Sequence, residues 1–337
     1  MTSASYSPSS NREYRGFLLP VLITGLLSFI PWPEIIYQSF HAILWDREIY
    51  TQKILSGDSL FSYFTYDSLI SYFTYESSWE FLISLIQENR LPFDYDMFFQ
   101  IISSLFIVTS SLILYRKGGY LAILLMANPL IFDLAYSQLR SALAISLLNI
   151  LYLTRPRSNL VSLAVCLLAT SIHTAMAIFL AIYFLCVATA ERGAWLSKWS
   201  VEMRLVTVIG AGVMFGLLIG PLREVALTLL NDRRAEYGDL ASSPLYLSFW
   251  VMLFGLFLVN YREFMLSLEG RFSLFILALV AVNVFTSAHT LRFLALAYPY
   301  IMATILIASP PVRFFALAVF AVYLVAQWYF YLSGLGG

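Results

Sequence analysis

Charge is what this chain has least of. Asp, Glu, Lys and Arg make up 12% of its 337 residues, against roughly 25% in a soluble domain. Too few charges remain to cover a water-facing surface. The 20 basic and 20 acidic residues cancel, so no overall field draws nucleic acid or an anionic surface. Only two cysteines occur, Cys166 and Cys186, both inside apolar runs, which excludes a disulfide framework or a thiolate zinc site. No H-E-x-x-H, C-x-x-C, G-x-S-x-G or phosphate-binding glycine loop is present. A soluble enzyme, a nucleic-acid binder and a disordered protein are thereby set aside, and no cofactor is expected.

What is abundant is apolar mass. Hydrophobic residues reach 60% and the mean hydropathy is +0.78. A bilayer-crossing helix needs about 20 mostly apolar residues. Runs of that kind lie at 16–36, 97–115, 119–135, 138–154, 159–173, 174–190, 204–222, 245–260, 272–288, 291–308 and 313–332. The expected fold is an all-α polytopic membrane protein with about eleven transmembrane helices, within a range of ten to twelve. It forms one integral membrane domain over 1–337, with 1–15 as a cytoplasmic tail. No small-residue cleavage site follows Leu18–Ile30, so the first span is expected to stay uncleaved. With the N-terminus inside, twelve of the twenty basic residues fall in short inner segments and eight in longer outer ones, the bias that positive charge imposes on topology. The two long connections, 37–96 and 221–244, then both lie outside.

The first outer loop carries helical periodicity. Trp79, Leu82, Ile83 and Ile86 form one apolar stripe, and Ser77 with Glu80 fits a capping box at its start. The stripe predicts an amphipathic helix, lying at the membrane surface or folded back onto the spans. Asp46–Leu55 predicts a second helix. Between them SYFTYDS at 62–68 returns as SYFTYES at 71–77. These aromatics suit the lipid–water interface and equally suit a floor on which sugar rings stack.

An ionisable group inside the apolar slab costs about 2.5–3.5 kcal/mol on insertion scales, so it usually has a partner or a task. Asp133, Arg140, His173, His289 and Arg292 sit at span ends, and Arg233, Arg234 and Tyr237 in the second long loop. In the assigned topology all of them face outward. Each has an ordinary reading: Arg140 pairing with Asp133, Glu80 capping its helix, Arg292 snorkelling to headgroups. Together, on one side, they suggest an anion site reached from outside at membrane depth. Guanidinium forks match phosphate oxygens, which points to a lipid-linked phosphate.

The segment QLRSALAISLLNILYLTRPRSNLVSLAVCLLATSIHTAMAIFLAIYFL at 138–185 resembles the core of Wzy-type polysaccharide polymerases of the EpsG-like branch. Arg140, the basic turn Arg155–Arg157 and His173–Thr174 follow in the branch's order. Asp46 with Tyr50, then ESSWEF at 76–81, resembles its acidic, aromatic first loop, and RRAEY at 233–237 its later Arg-plus-Tyr element. The HTLRFLALAY turn fits less closely.

The resemblance implies a metal-independent glycosyltransferase of the bacterial cytoplasmic membrane, active on its outer face. It would join oligosaccharide repeats carried on undecaprenyl diphosphate. Expected partners are the lipid-linked donor and acceptor, the bilayer, a chain-length regulator and a flippase, with no nucleic acid. In that reading His173, Arg140, Glu80 and Asp46 carry the chemistry. Arg292, Arg233, Arg234, Tyr237, His289, Tyr50 and Tyr298 bind substrate. A lipid-linked oligosaccharide flippase and an O-antigen-ligase-type transferase are the alternatives. A flippase would show repeat symmetry and charges along a path through the bilayer.

Overall fold

The computed structural model describes residues 10–40, 44–57, 72–73, 76–154, 158–190, 196–222, 225, 228, 244–286 and 291–335. Among them the secondary structure is entirely helical. The helices are α1 Ser10–Ser28, α2 Trp32–Phe40, α3 Trp45–Ser56, α4 Ser77–Gln87, α5 Tyr95–Gly118, α6 Pro129–Tyr136, α7 Leu139–Thr154 and α8 Asn159–Ile172. They continue as α9 Met176–Ala188, α10 Val201–Ile219, α11 Pro244–Val259, α12 Tyr261–Phe264, α13 Leu268–Thr286, α14 Leu291–Ile307 and α15 Pro310–Leu335. A 3₁₀ stretch, Tyr120–Met126, lies between α5 and α6.

Each of the eleven expected spans falls on a helical segment, but not on eleven helices of spanning length. Among the described residues, four helices are long and apolar enough to cross a membrane, or five if one sharply bent pair counts as a single span, and five more are shorter apolar helices. The coarse result is that of a multi-pass membrane protein.

The expected first span, 16–36, is divided. α1 stops at Ser28, and Pro31 separates it from α2, because proline cannot continue a hydrogen-bonded turn, while Pro33 sits in the first turn of α2, where a missing amide proton costs nothing. The expected third span, 119–135, is a 3₁₀ stretch followed by an eight-residue helix, and α6 meets α7 at 103°. Asn128–Pro129 causes the break between the 3₁₀ stretch and α6. Asn128 takes the extended conformation imposed before proline, and its side chain accepts from the Leu130 amide at 2.9 Å.

A break inside an apolar bundle must satisfy its own backbone groups, and neighbouring side chains do this. Tyr298 donates to the Leu125 carbonyl at 2.6 Å and Trp328 to that of Ala127 at 3.0 Å. Asn128 donates to Gln327 at 2.6 Å, Gln327 to the Tyr323 hydroxyl at 2.8 Å, and Trp250 to the same hydroxyl at 2.8 Å.

α5 and α13 form the centre. Asp94 caps α5, accepting from the Met97 amide at 2.9 Å, and Gly119, at φ 70°, turns the chain away at its end. α1, α7 and α14 pack on α5, and α10, α11 and α14 pack on α13. α10 comes unusually close to α13. A Cβ on Gly212 would stand 2.5 Å from the Phe275 carbonyl oxygen, and one on Gly216 would stand 3.0 Å from that of Leu279. This is a small-x-x-x-small contact, which lets helix backbones touch in an apolar setting.

α3 and α4 close one end of the bundle, hereafter the cap end. The predicted stripe on α4 is real: Trp79, Ile83 and Ile86 are buried. The helix is folded back onto the bundle, with Trp79 edge-on to Tyr50 at 5.1 Å and tilted against Phe98 at 6.1 Å. The expected capping box is absent. The N-cap is Glu76, Ser77 is already helical, and no side chain caps the helix.

At the opposite end, Glu269 of α13 is held by Lys117 at 2.6 Å and by the Tyr152 hydroxyl. Arg204 and Arg271 donate to the last carbonyls of α9, Thr189 at 3.2 Å and Cys186 at 2.8 Å, where the helix dipole is negative. Both cysteines are buried and free.

The glycine contact makes a measurable prediction. Gly212→Leu should destabilise the protein in detergent by at least the overpacking cost of about 1–3 kcal/mol. Gly210→Ala, where nothing lies within 4 Å of an added Cβ, should leave thermal unfolding unchanged.

Candidate functional site

The cap end gathers ionisable residues from five helices. α3 has Asp46, Tyr50 and Lys53 at i, i+4 and i+7, one face of a helix. Each meets a different element. Asp46 lies 3.6 Å from Arg292 at the start of α14. The Tyr50 ring lies beneath Arg140 at the start of α7, with 5.4 Å from guanidinium carbon to ring centre. Lys53 reaches both carboxylate oxygens of Glu80 on α4, at 2.9 and 2.7 Å. Beside this face, Arg47 pairs with Asp96 of α5 at 3.1 Å and lies over the Phe99 ring at 5.0 Å.

The centre of the arrangement is Glu76. One carboxylate oxygen accepts from the Arg140 guanidinium. The other meets His173 Nδ1 at 2.6 Å and accepts from the Thr174 amide at 3.3 Å. The Thr174 hydroxyl donates to the Phe73 carbonyl at 2.7 Å, closing the same turn. Glu76 and His173 are buried, and the Arg140 side chain is one-quarter exposed. Arg140 can stand here because α7 begins at Leu139, one residue earlier. His173 ends α8 in extended backbone, which swings its ring out of the helical stack.

Glu76 itself has φ 55°, a left-handed conformation that a side-chain-bearing residue rarely adopts and that costs of order 1–3 kcal/mol. Its carboxylate contacts keep it there. Tyr50 is affected by the same surroundings. Burial pushes its phenol up from 10.0 to about 12, against the opposing pull of the Arg140 charge.

The structure therefore brings Arg140, His173, Tyr50, Asp46 and Arg292 to one end, as the sequence suggests, and joins Arg140 to His173 through a residue not expected to do so. Glu76 was legible only as part of the ESSWEF run. Its signal was the near-repeat, in which an acidic residue, Asp67 or Glu76, occupies the same place in both copies.

Other expectations need correction. Arg140 does not pair with Asp133, which accepts from Gln138 at 2.6 Å. Glu80 does not cap its helix and is occupied by Lys53. Tyr298 is fully buried at the 3₁₀ break, bonded to Leu125 rather than placed at the cap end, so it does not join the site. Arg233, Arg234, Tyr237 and His289 lie outside the described residues, as does the repeat copy at 62–68.

Asp94-Tyr95-Asp96 is a D-x-D spacing, which corrects the metal-free expectation, since that took such a motif to be absent. Asp94 caps α5 and Asp96 pairs with Arg47, so both carboxylates have structural engagements. Among the described residues, no three His, Cys, Asp or Glu side chains come together as a metal site.

The cations at this end differ in how firmly they are held. Lys53 and Arg140 are in short pairs with buried carboxylates. Arg292 has the longest pairing, and its side chain is 43% exposed. It is more available to an incoming anion than Lys53 or Arg140.

No known protein family, curated protein or solved structure matches the chain.

Two measurements check this geometry. Glu76→Ala leaves a guanidinium and an imidazole facing each other without the carboxylate, so it should cost about 3–5 kcal/mol, as removing one partner of a buried pair does. Its effect with Arg140→Ala should fall well short of the sum of the two, and strictly additive denaturation free energies would deny the bridge. Tyr50 sets an alkaline dependence. Its raised folded pKa means its contribution to stability is whole below pH 10 and is lost as pH rises toward 12. The gap in stability between wild type and Tyr50→Phe should therefore change across that window and be flat below it.

Proposed function

We propose that the protein is a membrane-embedded glycosyltransferase that joins lipid-diphosphate-linked oligosaccharide repeats, a polysaccharide polymerase of the Wzy type and EpsG-like branch. The observation that carries this reading is Glu76 held between Arg140 and His173. A buried carboxylate that orients an imidazole through Nδ1 leaves Nε2 with its lone pair, and it stabilises the imidazolium formed when that atom takes a proton.

In the proposed reaction an acceptor hydroxyl attacks the anomeric carbon of the donor's first sugar. A new carbon–oxygen bond forms and the bond to the lipid diphosphate breaks. The hydroxyl proton passes to His173 Nε2, and the electron pair leaves on the diphosphate. Arg292, half-exposed and only loosely paired, is suited to the leaving oxygens. Arg140 is committed to Glu76, so it acts as a positioning residue for the Glu76–His173 pair. Tyr50 and Trp79 are buried against the pair, so they hold the cap in place and offer no open ring face to a sugar. The expected setting is the outer face of a bacterial cytoplasmic membrane, with the cap end outward.

The flippase reading is less well supported. Between the two ends, the described polar contacts of the bundle are uncharged. Asn149 donates to Ser110 at 3.1 Å and accepts from Tyr300 at 2.8 Å, and Ser273 meets Thr304 at 2.8 Å. They bond the helices to each other and set no row of charges along a path.

The test is chain extension by purified protein on purified lipid-linked repeats, with and without a chelator. A ladder of repeat lengths, unchanged by chelation, is expected. His173→Ala should slow it by about 10²–10⁴-fold, the usual worth of a general base, and Arg292→Ala should slow it as well. A single transferred glycan would indicate a ligase. Lipid movement with no new bond would indicate a flippase. Loss of the ladder with chelator would bring Asp94 and Asp96 into the chemistry.

A further inference from the structure

The proposed base is covered. His173 is 7% exposed and Glu76 5%, yet a base must come within about 2.6–3.2 Å of the hydroxyl it deprotonates. What lies over them is the cap, α3 and α4, and the cap is fastened unevenly.

The two cap helices form one unit. Lys53 of α3 holds both carboxylate oxygens of Glu80, its carbonyl accepts from Gln87 of α4 at 3.0 Å, and Tyr50 meets Trp79 edge-on. One side of this unit is pinned to the bundle. Glu76 bonds Arg140, His173 and the Thr174 amide, and Ser78 meets Ser171 of α8 at 2.7 Å. The other side has weaker ties. Asp46 stands 3.6 Å from Arg292, and Arg47 reaches Asp96, whose side chain is 60% exposed. Exposed pairs of this kind hold little. The connection from α4 to α5, residues 88–94, is mostly exposed.

The underside of the cap also works against closure. Arg47 Nη1 and Trp79 Nε1 are buried there with no acceptor among the described residues. A buried donor without a partner has given up its hydration, which it regains when water enters.

We propose that α3 and α4 are a lid that pivots on Glu76 and lifts on the Arg292 side, breaking the Asp46–Arg292 and Arg47–Asp96 pairs to open a way to His173. Its purpose rests on the transferase reading above; its motion does not. A pivot at Glu76 keeps the contact with His173 while the rest of the cap moves, so the base stays oriented. The same movement frees Arg292 from Asp46, so the guanidinium for an anion and the path to the imidazole open together.

The experiment is hydroxyl-radical footprinting of the full-length protein in lipid nanodiscs, read by mass spectrometry at fully buried rings. Trp79 and Phe99 lie under the lid, and Trp250 and Phe257 inside the bundle. Local opening should leave Trp79 and Phe99 modified at least about tenfold faster than Trp250 and Phe257. Asp96→Ala should raise that rate by a further factor of about two to five, the worth of an exposed ion pair, while continued protection of Trp250 shows that the variant is folded. Arg47→Cys with Asp96→Cys, joined by a bis-methanethiosulfonate of matching length, should bring Trp79 and Phe99 down to the level of Trp250. It should also slow chain extension at least about tenfold, and reduction should restore both. The native cysteines are buried, so the reagent meets the introduced pair.

Wild-type protein in which Trp79 and Phe99 are as protected as Trp250 would overturn the proposal. So would a cross-linked protein that extends chains at the uncross-linked rate, a result that leaves the transferase standing. A footprint that follows the cross-link in a protein that makes no ladder upholds the lid and removes the transferase.

Discussion

A single carboxylate organises the cap end. Glu76 accepts from a guanidinium on α7, an imidazole at the end of α8 and the amide that follows it, so three segments converge on two oxygen atoms. A charge this buried would be untenable alone and is stable only with its donors in place. The same requirement explains the left-handed backbone at Glu76, which the start of α4 adopts so that the side chain can reach inward. Tyr50 and Trp79 then pack against the pair from α3 and α4, and the cap becomes part of the bundle rather than a loop beside it.

Charge elsewhere follows the logic of an apolar solvent. The described ion pairs lie at the two ends, Glu76 with Arg140 at one and Glu269 with Lys117 at the other. Between them the bundle uses neutral hydrogen bonds, through Asn149, Tyr300, Ser273 and Thr304. Even the interrupted 3₁₀ segment is served by amide, indole and phenol groups. Neutral partners cost far less to bury than ions and still satisfy the backbone. The consequence is a molecule whose Glu76 cluster is held at one end, above an apolar body.

Much of the helical organisation was legible because it follows from local pattern. Apolar runs marked the positions of the helical segments, and the Trp79, Ile83, Ile86 stripe located α4. The misses have particular causes. The chain over 119–135 reads as one apolar run, yet Asn128–Pro129 imposes an extended residue and a fresh helix start, a local rule that hydropathy does not register. Among the described residues only four helices reach spanning length on their own, because proline, glycine and short turns shorten many of the others. The spacing of Glu80 from Ser77 imitates a cap, whereas Lys53, twenty-seven residues away, decides where it points. Tyr298 lies only six residues from Arg292, but those six residues carry it about 9 Å down the helix, away from the water-facing end.

The sequence by itself determined the solvent and the class of fold. With so few charges and so many apolar residues, burial in lipid is the way to satisfy the chain, and helices are what such a chain can form there. It also placed Arg140, His173, Asp46 and Arg292 near helix ends, where charge can reach water. Tertiary structure alone decided which of them meet. An ion pair is a short-range contact between side chains, and Glu76 comes within hydrogen-bonding distance of residues 64 and 97 positions away only after α4 folds back over the mouths of α7 and α8. Nothing local to any of the three residues encodes that closure, because it depends on how whole helices pack.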